Sequence, residues 1–241
     1  MDVARLLADQ REINGFDLAK LSLGDHLTGE GPYVFKECDL TGADFSGASL
    51  VGASFEGCAL ERADFRRTDL DGARFSGGGG AGLRFANAEL VDAAFTDVDL
   101  SGANFGRALL TDVVFTGCRM IGAVLTGCRG IGYRFDGSNL MLADLIGCSF
   151  RGAHLRGTRL DEANLSSCDF TNAVFEDCRM IGARTVDTVF TMADLRGLDL
   201  GEVDDTRLRS LRGAIISPSQ AALILASRGL TVNDPLLKEG A

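Results

Sequence analysis

The sequence has a period of five residues that runs from Phe35 to Leu200. Of the 34 positions at this spacing, which we call central positions, 31 hold Phe, Leu or Met, and the exceptions are Gly80, Gly130 and Thr185. The residue two places before a central position, which we call the minor position, is usually small, and the residue two places after it is most often Gly. This period fits neither the repeat of an isolated α-helix nor that of a flat strand.

The period predicts a coil in which every five residues turn one corner, with the central and minor positions pointing inward. Four corners close a coil of about 20 residues, and successive coils stack as parallel strands about 4.8 Å apart. Gly after the central position supports the tight turn. The three prolines, Pro32, Pro218 and Pro235, all lie outside the regular stretch, as expected where each backbone N–H joins a ladder between coils. We therefore predict an all-β solenoid over residues 33–204.

The sequence predicts a cytoplasmic protein that does not enter a membrane. It has no run of about 18 apolar residues, the length that a spanning helix needs. Its first residues, MDVARLLADQREING, place acidic side chains where a signal peptide has basic and then apolar ones.

The seven cysteines all fall at minor positions, where other coils have Ala, Val, Thr or Ser. Their spacings are multiples of ten, unlike the short spacings of a zinc motif. We expect small buried side chains rather than metal ligands. A disulfide between neighbouring coils, for example from Cys38 to Cys58, is the alternative. The cysteines are Cys38, Cys58, Cys118, Cys128, Cys148, Cys168 and Cys178.

Residues 1–32 do not keep the register and are predicted to cap the N-terminal end. We expect a short helix at Val3–Gln10 and then an irregular first coil, in which Phe16 and Leu21 are five apart but one place out of phase. An uncapped solenoid would expose core residues and unpaired strand edges.

Within the rod, Phe and Leu alternate at central positions from Phe35 to Phe75 and from Phe85 to Phe115. With four corners to a coil, this alternation predicts Phe on two opposite walls and Leu on the other two. The Gly77–Gly80 segment keeps the register but lacks a core side chain, so we predict a thin, mobile coil or a bend there. A phosphate-binding loop is disfavoured because no Lys or helix follows. A small-molecule site at this coil is a further, minor hypothesis.

The pattern stops after Asp204, and residues 205–230 are predicted to cap the C-terminal end. Ser217 suits a helix N-cap, Pro218 the first turn and Gly229 the C-terminal stop, which predicts a helix near 218–228. The helix is apolar on nearly all sides, more than is needed to cover a rod end. We therefore predict a homodimer about a two-fold axis through Leu223, Ile224 and Leu225. Residues 231–241 are expected to be a frayed tail.

The sequence contains no recognisable catalytic group. Of the two histidines, His26 lies in the N-terminal cap and His154 precedes a central position, where it should point to solvent. No nucleophile, metalloprotease or Walker motif occurs. We predict a protein that is not an enzyme and that binds no cofactor or metal.

The net charge of −10 is unevenly placed. On the predicted fold, residues one coil apart stack, and the wall with Leu50, Leu70, Leu90 and Leu110 carries acids but no base over this stretch. The next wall carries the basic residues Arg66, Arg67, Arg84 and Arg107. We call the acids the acidic strip and predict that it imitates, locally, the phosphate backbone of duplex DNA. Its members are Asp69, Asp71, Glu89, Asp92 and Asp112.

A second candidate surface is apolar. Ile121, Ile131, Met141, Leu142 and Ile146 lie just after central positions, where polar residues or Gly are usual. Ile121 and Met141 should stack one coil apart. They are either good strand formers or a contact patch for a partner, with Ile121, Met141 and Leu142 as its centre.

The phased tripeptides ADF, ASL, ANF and ANL follow a pattern A-[DNS]-[LF]-x-G. This pattern resembles the pentapeptide-repeat family over residues 33–204, where 31 of the 34 central positions hold Phe, Leu or Met. The resemblance implies a right-handed quadrilateral β-helix. The rod would have about 8.5 coils and a length of about 40 Å.

The stretches VFKECDLTGADFSGASL and GAIISPSQAALILASRGL are similar to the quinolone-resistance members of the MfpA and Qnr type. That resemblance implies a dimer that binds DNA gyrase or another type II topoisomerase and inhibits it or protects it from poisons such as quinolones, without binding nucleic acid itself. Unlike Qnr proteins, the chain has no insertion in 33–204, so simple exclusion of DNA is the expected mechanism. The alternative is a structural or scaffolding protein with an unrelated partner.

Overall fold

The computed structural model describes residues 3–27 and 31–232 and shows a four-sided β-solenoid. One wall is a nine-stranded parallel sheet in which each coil contributes one short strand. Strands β1 to β9 are Glu12–Asn14, Val34–Lys36, Ser54–Glu56, Arg74–Ser76, Ala94–Thr96, Val114–Thr116, Arg134–Asp136, His154–Arg156 and Val174–Glu176. A two-stranded parallel sheet on the next wall consists of β10 (Cys178–Arg179) and β11 (Leu198–Asp199). The predicted all-β solenoid of quadrilateral coils is confirmed.

The register between coils is the same on all four walls. On wall A, which holds the long sheet, Phe35 pairs with Phe55. Walls B, C and D, with Leu40, Phe45 and Leu50 as their first central residues, pair mainly through single bridges. Examples are Asp39 with Ala59 on wall B, Asp44 with Asp64 on wall C, and Ser49 with Asp69 on wall D. Each pentad therefore forms one corner, because the ladder returns to the same wall after four of them.

Phenylalanine rings fill the core of the N-terminal two-thirds of the rod. Along walls A and C, rings one coil apart stack nearly parallel with centroids 4.6–5.1 Å apart. Between these opposite walls, rings meet edge to face at 5.4–6.1 Å. Both arrangements are favourable for aromatic quadrupoles. The predicted placement of Phe on two opposite walls is confirmed.

The Gly77–Gly80 coil is tightly packed, and the prediction that it is thin is wrong. A Cβ on Gly78 would lie 2.3 Å from the carbonyl oxygen of Cys58, so the neighbouring coil leaves no room there. The ladder continues through Gly79, which bridges both Ala59 and Asp99. This close packing also argues against the hypothesis of a small-molecule site. Mobility of the coil stays a prediction.

A large side chain occupies the minor position after each of the two glycines that stand at central positions. Leu83 follows Gly80 by three places and is fully buried at a position where neighbouring coils have Ala. Tyr133 follows Gly130 by the same interval, is buried, and packs edge to face against Phe150 with centroids 5.5 Å apart. We infer that these side chains fill the volume that the glycines leave open.

The first coil is more regular than predicted. Its strand β1 pairs with β2 so that Ile13 lies opposite Phe35, and Ser22 bridges Asp44 with the same spacing. The buried central residues are Ile13, Leu18 and Leu23, so Phe16 and Leu21 occupy minor positions instead. The coil keeps the five-residue period and has two extra residues between Leu23 and Phe35.

Short helices lie at both ends of the rod. Helix α1 spans Val3–Asp9, close to the predicted Val3–Gln10, and a 3-10 helix spans Gly24–His26. Helix α2 spans Asp205–Ser210 and was not predicted, while α3 spans Pro218–Ala226, within the predicted 218–228. Ser217 caps α3 in a capping box with Gln220. Most of the predicted tail, residues 233–241, lies outside the described residues.

None of the helices in 3–27 and 31–232 has the length and apolar character needed to cross a membrane.

Candidate partner-binding surfaces

The acidic strip occupies three successive coils of wall D. Asp69 and Glu89 are bridged neighbours one coil apart, and the carboxylates of Asp69, Asp71 and Glu89 lie within 4.8 Å of one another. Asp92 and Asp112 sit one above the other at the corner after the wall, with left-handed φ angles of 57° and 56°. The structure therefore brings the five predicted residues onto one surface. Like charges this close repel, which favours a cationic partner.

The acidic strip is not neutralised within the protein. Across 3–27 and 31–232, none of its five carboxylates forms an ion pair with Lys or Arg. The hydrogen bonds that they accept come from the backbone: Asp71 N–H donates to Asp69 at 3.2 Å, and Val91 N–H donates to Asp71 at 3.0 Å. Asp69 and Glu89 stack in one row of wall D, and the residues that continue this row in the next two coils are Leu109 and Arg129. The acidic part of the row therefore ends at Glu89.

The four predicted basic residues lie on wall C, and two of them are ion-paired. Arg66 forms a bidentate pair with Asp64, with an Nη2–Oδ2 distance of 2.6 Å, and Arg84 reaches the same carboxylate at 3.4 Å. Burial alone would raise the pKa of Asp64, but hydrogen bonds and charge from Arg66, with charge from Arg84, bring that pKa below its usual value. Two of the four arginines are thus held by one buried acid. All four arginines have exposed side chains, and Arg67 and Arg107 form no ion pair among the described residues.

His154 lies on wall A and is half exposed, in agreement with the prediction that it faces solvent. Its Nε2 lies 2.9 Å from Glu176, whose carboxylate also accepts a hydrogen bond from Arg156 at 2.9 Å. Hydrogen bonds from Arg156 and His154 lower the pKa of Glu176. His26 lies in the 3-10 helix near the N-terminus. These contacts are those of a surface ion-pair network.

The seven cysteines are free thiols, and six are buried. Each Sγ lies within hydrogen-bond distance of a central-position carbonyl of the preceding coil, as from Cys58 to Phe35 O at 3.3 Å and from Cys168 to Leu145 O at 3.0 Å. Burial raises the pKa of Cys58 and of Cys118 to about 11 and that of Cys148 to about 12. The expectation of small buried side chains is therefore confirmed, and the thiols are poor nucleophiles.

The predicted apolar residues separate onto three walls, and Ile146 lies alone on wall C, where it is partly buried. Ile121 and Met141 stack on wall B, and Leu142 follows at the corner with 55% of its surface exposed. Leu142 has a left-handed φ of 60°. The residues at the same corner in other coils include Gly102, Gly122 and Gly182, which adopt this conformation more easily. Ile131, 70% exposed, lies on wall D beyond the acidic strip. We call Ile121, Met141 and Leu142 the apolar patch.

The C-terminal end exposes most of the large apolar side chains. Of 13 exposed ones in the described residues, nine lie at or after residue 186. Leu223 is 71% exposed and Leu225 is 40% exposed, whereas Ile224 is only 8% exposed because it packs onto the rod. The assignment of Ile224 to a dimer surface is therefore wrong. A groove of about 820 Å³ lies between α3 and the last coil. The nine are Val186, Val189, Met192, Leu208, Ile215, Leu223, Leu225, Leu230 and Val232.

Known families and structures agree with this architecture. The pentapeptide-repeat family model matches in eight copies, over residues 38–77, 84–128, 138–177 and 168–204, which is more than half of the chain. The protein therefore belongs to the pentapeptide-repeat family. None of the curated proteins matches the sequence.

Among solved structures, full-length QnrB1, described as a plasmid-mediated fluoroquinolone resistance protein, is similar with a TM-score of 0.68 and 21% identity. The match covers 91% of this chain and 100% of QnrB1. HetL from Nostoc sp., a pentapeptide-repeat protein involved in heterocyst differentiation, has a TM-score of 0.24 and 22% identity over 76% of this chain and 86% of its own. At these identities the likeness to QnrB1 concerns the fold.

Proposed function

We propose that the protein is a non-enzymatic, cytoplasmic binding protein that contacts DNA gyrase or another type II topoisomerase. The acidic strip would occupy the positively charged surface that otherwise holds duplex DNA, so that the enzyme is inhibited or protected from poisons such as quinolones. The observation that carries this proposal is that all five carboxylates of the strip lack an ion-pair partner in the described residues. The described role of QnrB1 in fluoroquinolone resistance supports the choice of target.

The charge density of the strip agrees with local imitation of DNA. Its five carboxylates cover three coils, or two steps of about 4.8 Å. Duplex DNA carries one charge per about 1.7 Å of axis, or about six over the same length. The whole protein has a net charge of −10, whereas DNA as long as a rod of about 40 Å would carry about 24 charges. The imitation is therefore a property of one wall only.

The proposed assembly is a homodimer joined at the C-terminal ends. The concentration of exposed apolar residues beyond residue 186, including Leu223 and Leu225, supports this surface. A two-fold dimer would present two acidic strips related by symmetry, which suits a symmetric DNA-binding enzyme.

The test is gyrase supercoiling and quinolone-induced cleavage with added protein. We compare Asp92→Asn/Asp112→Asn with Asp97→Asn/Asp187→Asn. All four residues have positive φ at corner positions, and each pair removes the same charge, but Asp97 and Asp187 belong to other walls. We expect the strip pair to weaken the effect on gyrase by about tenfold, since two charged contacts at about 0.7 kcal/mol each are lost. The control pair should keep the full effect.

Two results would contradict the proposal. The first is a folded wild-type protein that has no effect on gyrase at micromolar concentration. The second is an equal loss of effect in both variant pairs, which would show that overall charge rather than the strip matters. Added salt should weaken binding in the wild type more than in the strip variant.

A structural or scaffolding role is the second candidate, and the apolar patch favours it. A large apolar residue at a left-handed corner, as Leu142 is, is strained relative to Gly and gains little burial. If Leu142→Gly abolishes capture of a cellular partner while the gyrase effect is unchanged, the patch serves a different protein from the strip.

A further inference from the structure

In the body of the rod, side chains of one coil complete the hydrogen bonds of the coil before it. Where a minor position holds Cys, Ser or Thr, its side chain donates to the carbonyl of a central position in the preceding coil. Thr68 donates to Phe45 O at 2.9 Å, and Thr188 donates to Leu165 O at 2.8 Å. The thiols described above and Ser138 do the same. These carbonyls also accept a backbone N–H, as Phe45 O does from Ala48 at 3.0 Å, so the side chain supplies a second hydrogen bond in the interior of the rod.

At the C-terminal end the residues that follow Met180 and Leu195 in the next coil supply no such donor. At the sequence spacing that joins Thr68 to Phe45, the residues after Met180 and Leu195 are Val203 and Pro218, and neither has a side-chain donor. Instead, the guanidinium of Arg207 donates to Met180 O. Gln220 Nε2 donates to Leu195 O at 2.8 Å and to Leu198 O at 2.7 Å.

These two donors belong to the two C-terminal helices. Arg207 lies on α2 and is only 7% exposed. Burial lowers the pKa of Arg207, and the charges of Asp204 and Asp199 act in the opposite direction. Gln220 also accepts the N–H of Ser217 with its Oε1 at 2.8 Å, so one side chain joins the start of α3 to the last coil.

We propose that Arg207 and Gln220 are positioning residues that bond α2 and α3 to backbone carbonyls of the last coils and thereby fix the orientation of α3. With α3 held in this way, Ile224 packs inward and Leu223 and Leu225 face outward. The surface available to a second copy is then set by two polar anchors rather than by apolar contact alone. The effect on dimerisation rests on the proposed dimer.

The test uses the full chain and the substitutions Arg207→Met and Gln220→Met, which keep side-chain length but remove the donors. Arg119→Met, at an exposed arginine in the middle of the rod, is the matched control. The dimer Kd is measured by sedimentation, and amide hydrogen exchange is followed separately in 219–226 and in the strands of wall A. We expect each anchor variant to raise the Kd by about tenfold, equivalent to one lost buried hydrogen bond.

The exchange data distinguish positioning from general stability. In the anchor variants, exchange should accelerate in 219–226 and stay unchanged in the wall A strands. Arg207→Lys, which retains a donor, should restore part of the wild-type Kd. Wild-type Kd and wild-type exchange in α3 for both anchor variants would overturn the inference. A monomeric wild type would instead refute the proposed dimer, and exchange in 219–226 would still decide whether the anchors hold α3.

Discussion

The body of the rod and its C-terminal end differ in the side chains that donate hydrogen bonds to the backbone carbonyls of central positions. In the body, small Cys, Ser and Thr side chains of the next coil are the donors, and only four large apolar side chains are exposed between residues 31 and 185. At the end, long side chains from α2 and α3 are the donors, and nine large apolar residues are exposed. Most coils of the rod therefore bury their large apolar side chains, whereas the last coil and the helices that follow it do not.

This difference separates residues that stabilise the fold from residues available to a partner. In the body most large apolar residues are buried between coils, so the surface open to a partner is mainly polar and charged, apart from the apolar patch. At the end the stack stops and apolar surface remains. The two proposed interactions thus differ in chemistry because they lie at different places in the repeat.

The largest effect is expected for a central position of the body. Phe95 is fully buried and stacks between Phe75 and Phe115 at 4.6 Å and 5.0 Å. Phe95→Ala should lower the free energy of unfolding by about 3–5 kcal/mol, measured by denaturant titration of dilute protein. Leu223→Ala at the end should change it by less than about 0.5 kcal/mol. Similar losses at the two sites would remove the distinction between body and end.

A loss nearly as large is expected at Tyr133, which compensates for Gly130. Tyr133→Ala should cost about 3 kcal/mol, because it would leave a cavity beside two aromatic rings. Tyr133→Phe retains the ring and should cost about 1 kcal/mol at most. If both substitutions cost the same, the ring does not fill the core.

A smaller, pH-dependent effect is expected where an acid of the body is ion-paired. The pKa of Asp64 is lowered in the folded state, so its stabilisation is present above the unfolded pKa of about 3.9 and is lost as the pH falls through the folded pKa. Asp64→Asn should cost about 1–2 kcal/mol at pH 7, and the difference from wild type should shrink below about pH 4.

Asp112→Asn is the matched control for this pH dependence, because Asp112 belongs to the acidic strip and has no ion-pair partner among the described residues. Thermal unfolding between pH 3 and 7 should show no corresponding loss. An equal loss for Asp112→Asn would mean that the strip contributes to folding.

The smallest effect is expected for the thiol donors. Cys58→Ala removes the bond to Phe35 O and should cost about 1 kcal/mol, whereas Cys58→Ser keeps a donor and should cost less. Because the pKa of Cys58 is raised to about 11, the folded protein should resist alkylation at pH 8. Rapid labelling of Cys58 in the native state would show that this coil opens readily.

The coil architecture could be predicted because the period is a local property repeated along the chain. The start of α3 was also predictable, since Ser217 and Pro218 are strong N-terminal signals. The first coil was misjudged because its two extra residues shift the phase, which hides Ile13, Leu18 and Leu23 from a search at fixed phase. Once the offset is allowed, the same five-residue period identifies them.

The errors at the surfaces arise from contacts between coils, which the repeat pattern does not show. Arg84 and Asp64 lie one coil apart in the chain and pair because they are neighbours on wall C. Ile224 could not be told from Leu223, because a helix that is apolar all round gives no sign of which face packs on the rod. The sequence does hold a signal that the coils with Gly80 and Gly130 are well packed. It is the large residue, Leu83 or Tyr133, at the minor position that follows each glycine.

Because residues 33–204 keep a strict register, the rod can change its length only in fixed steps without changing its cross-section. The chain comes back to the same wall after every four pentads. Duplication or deletion of 20 residues would therefore lengthen or shorten the rod by about 4.8 Å and keep each residue on its wall. An insertion of a single pentad would instead rotate everything beyond it by one wall. In the proposed dimer, the angle between the two acidic strips would therefore depend on the number of pentads between each strip and the C-terminal end.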